Sequence, residues 1–331
     1  MNLIHADQNF TELGTVGFVR YDGTVSLDPK PDGNDWEAEI PAEDFADYGF
    51  ALGHYLYFAG TEWGGRLERI THVSKTAVVR LGGVTWRGML ARKVIMPPDG
   101  QSHLDLRDRD IHAVIASLIQ PFGGLFASPA ADFGELCPIR FRYQNVLEGI
   151  CEMLDAFGLR LTLSLDPDSR HVMLSAAAPA DRSNEIEFSG DYDYSYTSTR
   201  GEAMYNHIVA LGRGEQENRV VRHVWLLPDG SMTTLSTDAG IASGADERAM
   251  VYDFSSCEDE NELVRYAKNQ LRQHGAQNRI EISLDSGDID LQLGDRVGLR
   301  DRITELSDIR TITGKLLTVS SDGISLRYTA E

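Results

Sequence analysis

The feature that most constrains this chain is that its apolar runs keep meeting glycine or proline before they lengthen. In the first hundred residues Trp36-Glu-Ala-Glu-Ile40 alternates apolar with acidic, and Tyr55-Leu-Tyr-Phe58, Arg66–Ile70 and Lys75–Arg80 follow as short runs. Between them stand Asp28-Pro-Lys-Pro-Asp-Gly33, Gly64-Gly65 and Gly82-Gly83. Alternation bounded by such turn formers predicts sequential half-buried strands, which close into a barrel or pack as a small sandwich. The run after Val78 predicts a strand broken at Gly82-Gly83 and resumed through Trp86, Leu90, Val94 and Ile95. Pro97-Pro98 forbids further ladder bonding and marks the first predicted domain boundary.

After Asp105 the period changes. Ile111, Val114, Ile115, Leu118 and Ile119 fall at helical spacing behind Asp108 or Asp110 as N-cap. A second predicted helix carries Val146, Leu147, Ile150, Met153, Leu154 and Phe157 on one stripe, with Asn145 to cap it and Gly158 to end it. Arg160–Leu165 and His171–Ser175 then alternate around Asp166-Pro-Asp-Ser as a hairpin. Strands are predicted again from Ile186 to Trp225, including Asp191–Tyr196 and His207–Leu211. Ser256 and Asp259 suggest a capping box before a helix carrying Leu263, Ala267 and Leu271 and stopping at Gly275. The rest is β once more: Arg279–Leu284, Asp295–Leu299, Thr311–Val319 and Ile324–Tyr328.

A chain of 331 residues, 42% hydrophobic, suits two or three cores rather than one. No run approaches the roughly 18 to 20 apolar residues of a membrane helix, and the first residues lack the basic start and apolar core of a signal peptide. Three cysteines, Cys137, Cys151 and Cys257, are an odd number without CxxC spacing, which points to buried free thiols and a reducing compartment. With 31 basic against 51 acidic residues the formal charge is -20, which repels nucleic acid and anionic membrane.

One internal echo stands out. Leu52-Gly53-His-Tyr-Leu56, Arg66–Thr71 and Val78–Arg80 parallel Leu293-Gly294-Asp-Arg-Val297, Asp308–Thr313 and Ile324–Arg327. Each half reads as a Leu-Gly turn into a strand, an isoleucine-rich strand and a closing hairpin, as a duplicated β unit would. Three copies of such a chain would present six similar units around one axis.

Catalytic patterns are missing. There is no Gly-x-Ser-x-Gly, His-Glu-x-x-His or Walker glycine loop, and Gly212-x-Gly214 lacks the third glycine of a dinucleotide site. His103 and His112 lie near Asp105, Asp108 and Asp110 without the spacing that sets two imidazoles on one helix face. Asp166–Asp168 and Asp285–Asp290 read as turns rather than calcium loops. Trp36, Trp63, Trp86 and Trp225, spread over strands, read as core or interface aromatics before a sugar platform. No catalytic residue, metal or cofactor is assigned.

Gly60-Thr-Glu-Trp-Gly-Gly65, Thr85-Trp-Arg-Gly-Met-Leu-Ala-Arg-Lys-Val-Ile-Met-Pro-Pro98, Ala203-Met-Tyr-Asn-His-Ile-Val-Ala-Leu-Gly212 and Leu291-Gln-Leu-Gly-Asp-Arg-Val297 occur in that order. In these pieces the chain resembles the siphophage tail-tip or baseplate hub proteins, whose fold is that of the contractile-phage hub. The resemblance implies a β-rich α+β fold of two similar small β-barrels, the tube domains, with an α+β insert and an additional helix. The first barrel is expected over 1–104, completed by about 200–225, the insert over 105–199, and the helix with the second barrel over 226–331. It also implies a homotrimer adapting the sixfold tail tube to the threefold tip and framing the DNA exit channel. Partners would be distal tail or tail-tube proteins and tip or fibre proteins, with genome DNA only as passing cargo. The location implied is the virion tail tip, after synthesis in the bacterial host cytoplasm. Gly53 and Gly294 are expected to make the tight turns into strands, with Asp295 following the second. Trp86 is expected to anchor the first barrel, and Pro97 and Pro98 to fix the exit into the insert. With the chain stopping at Glu331, the hub role is expected rather than an enzymatic one. Two other readings stay open in the sequence: a cell-wall hydrolase of the tail tip, and a receptor- or carbohydrate-binding tail module.

Overall fold

The first eighty-five residues alternate as read and make seven strands: β1 (Leu3–Ala6), β2 (Glu12–Val16), β3 (Arg20–Ser26), β4 (Asp35–Pro41), β5 (Tyr55–Phe58), β6 (Gly64–His72) and β7 (Val78–Thr85). The computed structural model describes every residue except 31, 167, 190–194, 200–201, 275–278 and 286–289. Period two decides which side each residue takes. On β4, Trp36, Ala38 and Ile40 are buried while Glu37 and Glu39 stand on the other face.

The organising stretch differs from the expectation after Thr85. Strand β7 runs unbroken through Gly82-Gly83, and Trp86–Ala91 is a helix, α1, whose N-cap Thr85 accepts from the Gly88 amide. The glycines are there for close approach: a Cβ on Gly83 would lie 1.8 Å from the Arg66 carbonyl oxygen, and one on Gly65 1.8 Å from that of Val84. Helix α1 escapes a periodicity reading because five of its six residues are buried, leaving no polar face to set the phase. Gly88 lets it lie against the chain before β4, where a Cβ would come 2.3 Å from the Asn34 carbonyl oxygen.

The insert follows with β8 (Leu104–Asp105), α2 (Ile111–Ile119), β9 (Phe126–Ala127), β10 (Arg140–Phe141), α3 (Val146–Asp155), β11 (Arg160–Asp166) and β12 (His171–Ala177). Asp110, not Asp108, caps α2, and Asn145 caps α3 through the Glu148 amide. Gly158, at φ +64°, ends α3 with the Leu159 amide returned to the Leu154 carbonyl. The stripes of α2 and α3 pack with α1, β11 and β12 around Trp86, Leu90, Ile115, Phe141, Ile150 and Leu174.

Two compact units divide the chain, Met1–Thr197 with Ile280–Glu331, and Ser198–Arg279. The second holds β15 (His207–Leu211), β16 (Val221–Leu226), β17 (Met232–Thr233), β18 (Ala249–Asp253) and α4 (Glu260–Gln273). Its sheet runs β17-β16-β15-β18, and α4 packs on it around Ile208, Ala210, Val224, Leu263, Ala267 and Leu271. Asp259 is itself the N-cap, accepting from the Asn261 and Glu262 amides, while the Gly275 stop lies outside the described residues.

The remaining strands, β13 (Glu187–Ser189), β14 (Ser195–Thr199), β19 (Arg279–Asp285), β20 (Arg296–Asp301), β21 (Leu306–Ser320) and β22 (Gly323–Ala330), join the first seven. The expected strand at Asp191–Tyr196 lies largely outside the described residues. Among the described residues there is, instead of two closed barrels, one open thirteen-stranded sheet, ordered β14-β19-β22-β21-β3-β4-β7-β6-β5-β1-β2, with β20 on β21 and β13 on β20. The physical reason is β21. At 15 residues it is long enough to pair β20 with its first half and β3 with its second, which carries the sheet from one half of the chain into the other. Tyr21, Trp36, Leu67 and Leu81 therefore share one core with Val297, Ile312, Leu317 and Tyr328.

Candidate assembly surface

The echo between the halves is a structural repeat. Gly53 (φ +94°) and Gly294 (φ +90°) both take a left-handed conformation that glycine alone adopts freely. Around Gly53 three backbone bonds close: Gly53 N to Leu67 O at 2.8 Å, His54 N to Ala51 O at 3.1 Å and Leu67 N to His54 O at 2.7 Å. Around Gly294 the same three recur: Gly294 N to Ile312 O at 2.8 Å, Asp295 N to Gln292 O at 3.0 Å and Ile312 N to Asp295 O at 2.8 Å. Leu67 therefore answers to Ile312, a shift of three residues from the alignment that the isoleucines suggest.

The strands agree. β6 bulges against β7 between Leu67 and Arg69, and β21 bulges against β22 between Ile312 and Gly314. Gly83 opposite Leu67 answers to Ala330 opposite Ile312, so β4 answers to β19 and the path β3-β4-β7-β6-β5 to β14-β19-β22-β21-β20. One difference is that β5 takes β1 antiparallel, whereas β20 takes β13 parallel.

Within the chain the repeats are joined by β21 and β3, paired from Gly314↔Ser26 to Ser320↔Arg20, with Thr318 Oγ1 donating to Asp22 Oδ1 at 2.6 Å. Their counterparts are the outer half of β6, beyond Arg66, and β14. Among the described residues, β5 pairs with β6 only at Gly64–Arg66, and β14 pairs only with β19. Each thus offers a free strand edge.

The polar face of this sheet carries paired charges. Arg80 Nε lies 3.0 Å from Glu39 and 3.8 Å from Glu37, Arg69 Nη2 lies 3.5 Å from Glu37, and Arg20 Nε lies 2.5 Å from Asp22. Three arginines thus meet three carboxylates on β3, β4, β6 and β7. Gly82 belongs to this face, since a Cβ there would come 2.7 Å from the Arg69 guanidinium.

The two turns are fixed differently. Asp295, 1% exposed, accepts from Arg160 Nη1 at 2.5 Å and the Ala180 amide at 2.8 Å on one oxygen, and from the Gln292 amide at 2.8 Å on the other. The matching His54 shares a hydrogen bond with His5, 2.8 Å between Nδ1 and Nε2. Burial, then the neighbouring His54, pushes His5 down to about 4. Lys315 adds a second buried pair, 2.6 Å from Glu62 and 5.6 Å from the Trp63 ring centroid.

Trp86 lies in the insert core, ringed by Phe10, Tyr55 and Tyr57, rather than among the residues shared by the two repeats. Pro97 and Pro98 follow buried Ile95 in irregular chain and lead into a turn in which the Gln101 amide donates to the Pro98 carbonyl. The acidic cluster near His103 disperses. Asp105 takes Arg107 and Arg140, which hold it below the usual carboxylate range, Asp110 caps α2, and His112 turns to Ala131 and Ser175. Trp36, Trp63 and Trp86 are buried, which removes them from any sugar platform. In the second unit, strand register stacks His207, His223 and Trp225, with Glu247 2.6 Å from His207 Nδ1. The sequence signal for that stack is alternation on two strands, visible only once their register is known.

No family profile and no curated protein matches the chain in sequence. In structure it is similar to a tail protein of Neisseria meningitidis, at TM-score 0.57 and 14% identity, covering 100% of this chain and 96% of that one. It is also similar to the 43 kDa tail protein of prophage MuSo2 from Shewanella oneidensis, at TM-score 0.62 and 12% identity, covering 100% and 98%. A prophage tail protein from Listeria monocytogenes matches at TM-score 0.50 and 12% identity over 99% of this chain and 94% of that one. From end to end, the chain has the fold of these phage tail proteins.

Proposed function

We propose that this protein is a structural component of a phage-type tail, a homotrimeric hub at the tip that meets a sixfold tube on one side and a threefold tip on the other. The observation that carries this reading is the repeat with its leftover edges. The pairing that joins β21 to β3 inside one chain has an unused equivalent, the outer half of β6 and β14. A heterologous contact of that kind, repeated around an axis, closes a ring of three chains and six like units. The barrels expected from the sequence would then be completed by neighbouring copies rather than within one chain.

In such a ring the paired charges of the sheet's polar face line the channel. DNA slides past because each arginine is already matched, and the net charge of -20 opposes adhesion elsewhere. The neighbouring tail-tube and tip proteins would dock above and below the ring. The fold carries no enzymatic role in this reading.

Native mass spectrometry tests the assembly: three copies of a 36.7 kDa chain give about 110 kDa. Cysteines placed along Arg69–His72 and along Ser195–Thr199 should oxidise into covalent dimers and closed trimers. A monomer at every concentration, with no interchain crosslink even in assembled tails, would remove the ring. Release of label from peptidoglycan by the purified protein would favour the hydrolase instead.

A further inference from the structure

We infer that the open face of the β17-β16-β15-β18 sheet, the one turned away from α4, packs against a second copy of this chain. Register places Val209 and Leu211 of β15, Val221, His223 and Trp225 of β16, and Val251 of β18 on that one face. Among the described residues, none of the six belongs to the core that α4 closes, and Val251, in the middle of an edge strand, is 62% exposed.

The residue pattern is that of a sheet covered on both sides. A strand wetted on one face alternates apolar with polar, as β4 does, whereas a strand covered on both reads as one apolar run. Strand β15 is His207-Ile-Val-Ala-Leu211, and Ala249-Met-Val-Tyr252 runs beside it without a charge. Helix α4 accounts for Ile208, Ala210 and Met250. Within this unit nothing of the kind accounts for Val209, Leu211 and Val251, which point the other way.

Charge and area choose the occupant. Each copy carries a formal charge of -20, so two copies approach closely where charge is absent or paired. This face meets that condition: burial and the neighbouring His207 push His223 below its ordinary value, so none of the six is charged at neutral pH. At the margin Asp253 is matched by Arg219 at 2.5 Å. Three strands of five or six residues span roughly 250 Å². One side of even a 1,000 Å² interface contributes about twice that. The face is therefore too small to recruit a separate protein by itself, but it adds to a contact between molecules already held together. In the ring proposed above, on which this inference rests, those molecules are copies of this chain.

The test places a photoreactive diazirine amino acid at Val251 of the full chain, both purified and in assembled tails. Light should join Val251 to another copy, giving covalent dimers that mass spectrometry maps to this chain. Val251→Glu, an exposed change that leaves the α4 core intact, should raise the concentration at which copies separate by roughly tenfold in analytical ultracentrifugation, because it buries a charge. Trimers in which the Val251 label reacts with water, its own chain or a different tail protein overturn this inference and leave the ring standing, as does unchanged assembly of the glutamate variant. Val251 dimers without the crosslinks between β6 and β14 overturn the ring instead, and a monomer at every concentration overturns both.

Discussion

Trp86 shows how much one side chain carries. It is 1% exposed, opens α1 and meets Phe10, Tyr55 and Tyr57, yet its Nε1 has no hydrogen-bond partner among the described residues. Trp86→Ala should cost about 3–5 kcal/mol by denaturant titration, while Trp86→Phe, which loses no hydrogen bond, should cost clearly less. An unchanged midpoint for the alanine variant would contradict this packing. His5 sets an acid limit. Its pKa in the folded chain is about 4 against 6.5 when free, so between those values the unfolded state binds the extra proton. The His5 contribution is therefore fully present above about pH 6.5 and is lost, by roughly 2–3 kcal/mol, as pH drops towards 4. His223, lowered by burial and by His207, acts in the same direction. The difference in pH-dependent melting between wild type and His5→Gln isolates the His5 part, and parallel curves would refute it. The burial of Trp86 was legible from its type, but its neighbours were not, because Phe10 and Tyr55 reach it through the fold.

At the scale of elements, the two glycine turns decide where each repeat begins. Gly53→Ala and Gly294→Ala should each cost about 1–2 kcal/mol, since both hold φ near +90°. Asp295→Asn should cost more, about 3–5 kcal/mol, because it leaves Arg160 buried without its counter-charge. Equal losses for Asp295→Asn and Gly294→Ala in urea titrations would show that the ion pair adds nothing. Helix α3 and the β11–β12 hairpin were readable because their signals are local: an Asn145 cap, a stripe at helical spacing, an alternation around Asp166. The β6–β7 contact was not. A Gly-Gly pair signals a break when seen alone, and only the opposing Arg66 carbonyl reveals that it permits a close approach. Nor does the sequence disclose which strand β21 meets with its second half, for β3 lies almost three hundred residues away.

Across the whole molecule, the charge surplus and the paired sheet face lead to one expectation about nucleic acid. Double-stranded DNA should pass through a filter unretained by the purified protein even at low salt, where electrostatic adhesion is strongest. Retention that weakens steeply with added salt would show an exposed basic surface and count against a channel lined by matched charges. The composition foretold the sign of this behaviour, whereas the three-against-three balance on β3, β4, β6 and β7 became visible only with the register.

The unlike fastening of the two glycine corners, imidazole on imidazole in one and guanidinium on carboxylate in the other, has a consequence for any larger object built from this chain. Joining two related units in one polypeptide lets them age apart: acid loosens the first kind of corner through His5, an imidazole the second kind does not contain. A particle made of such chains would feel that protonation at every other position around its circumference.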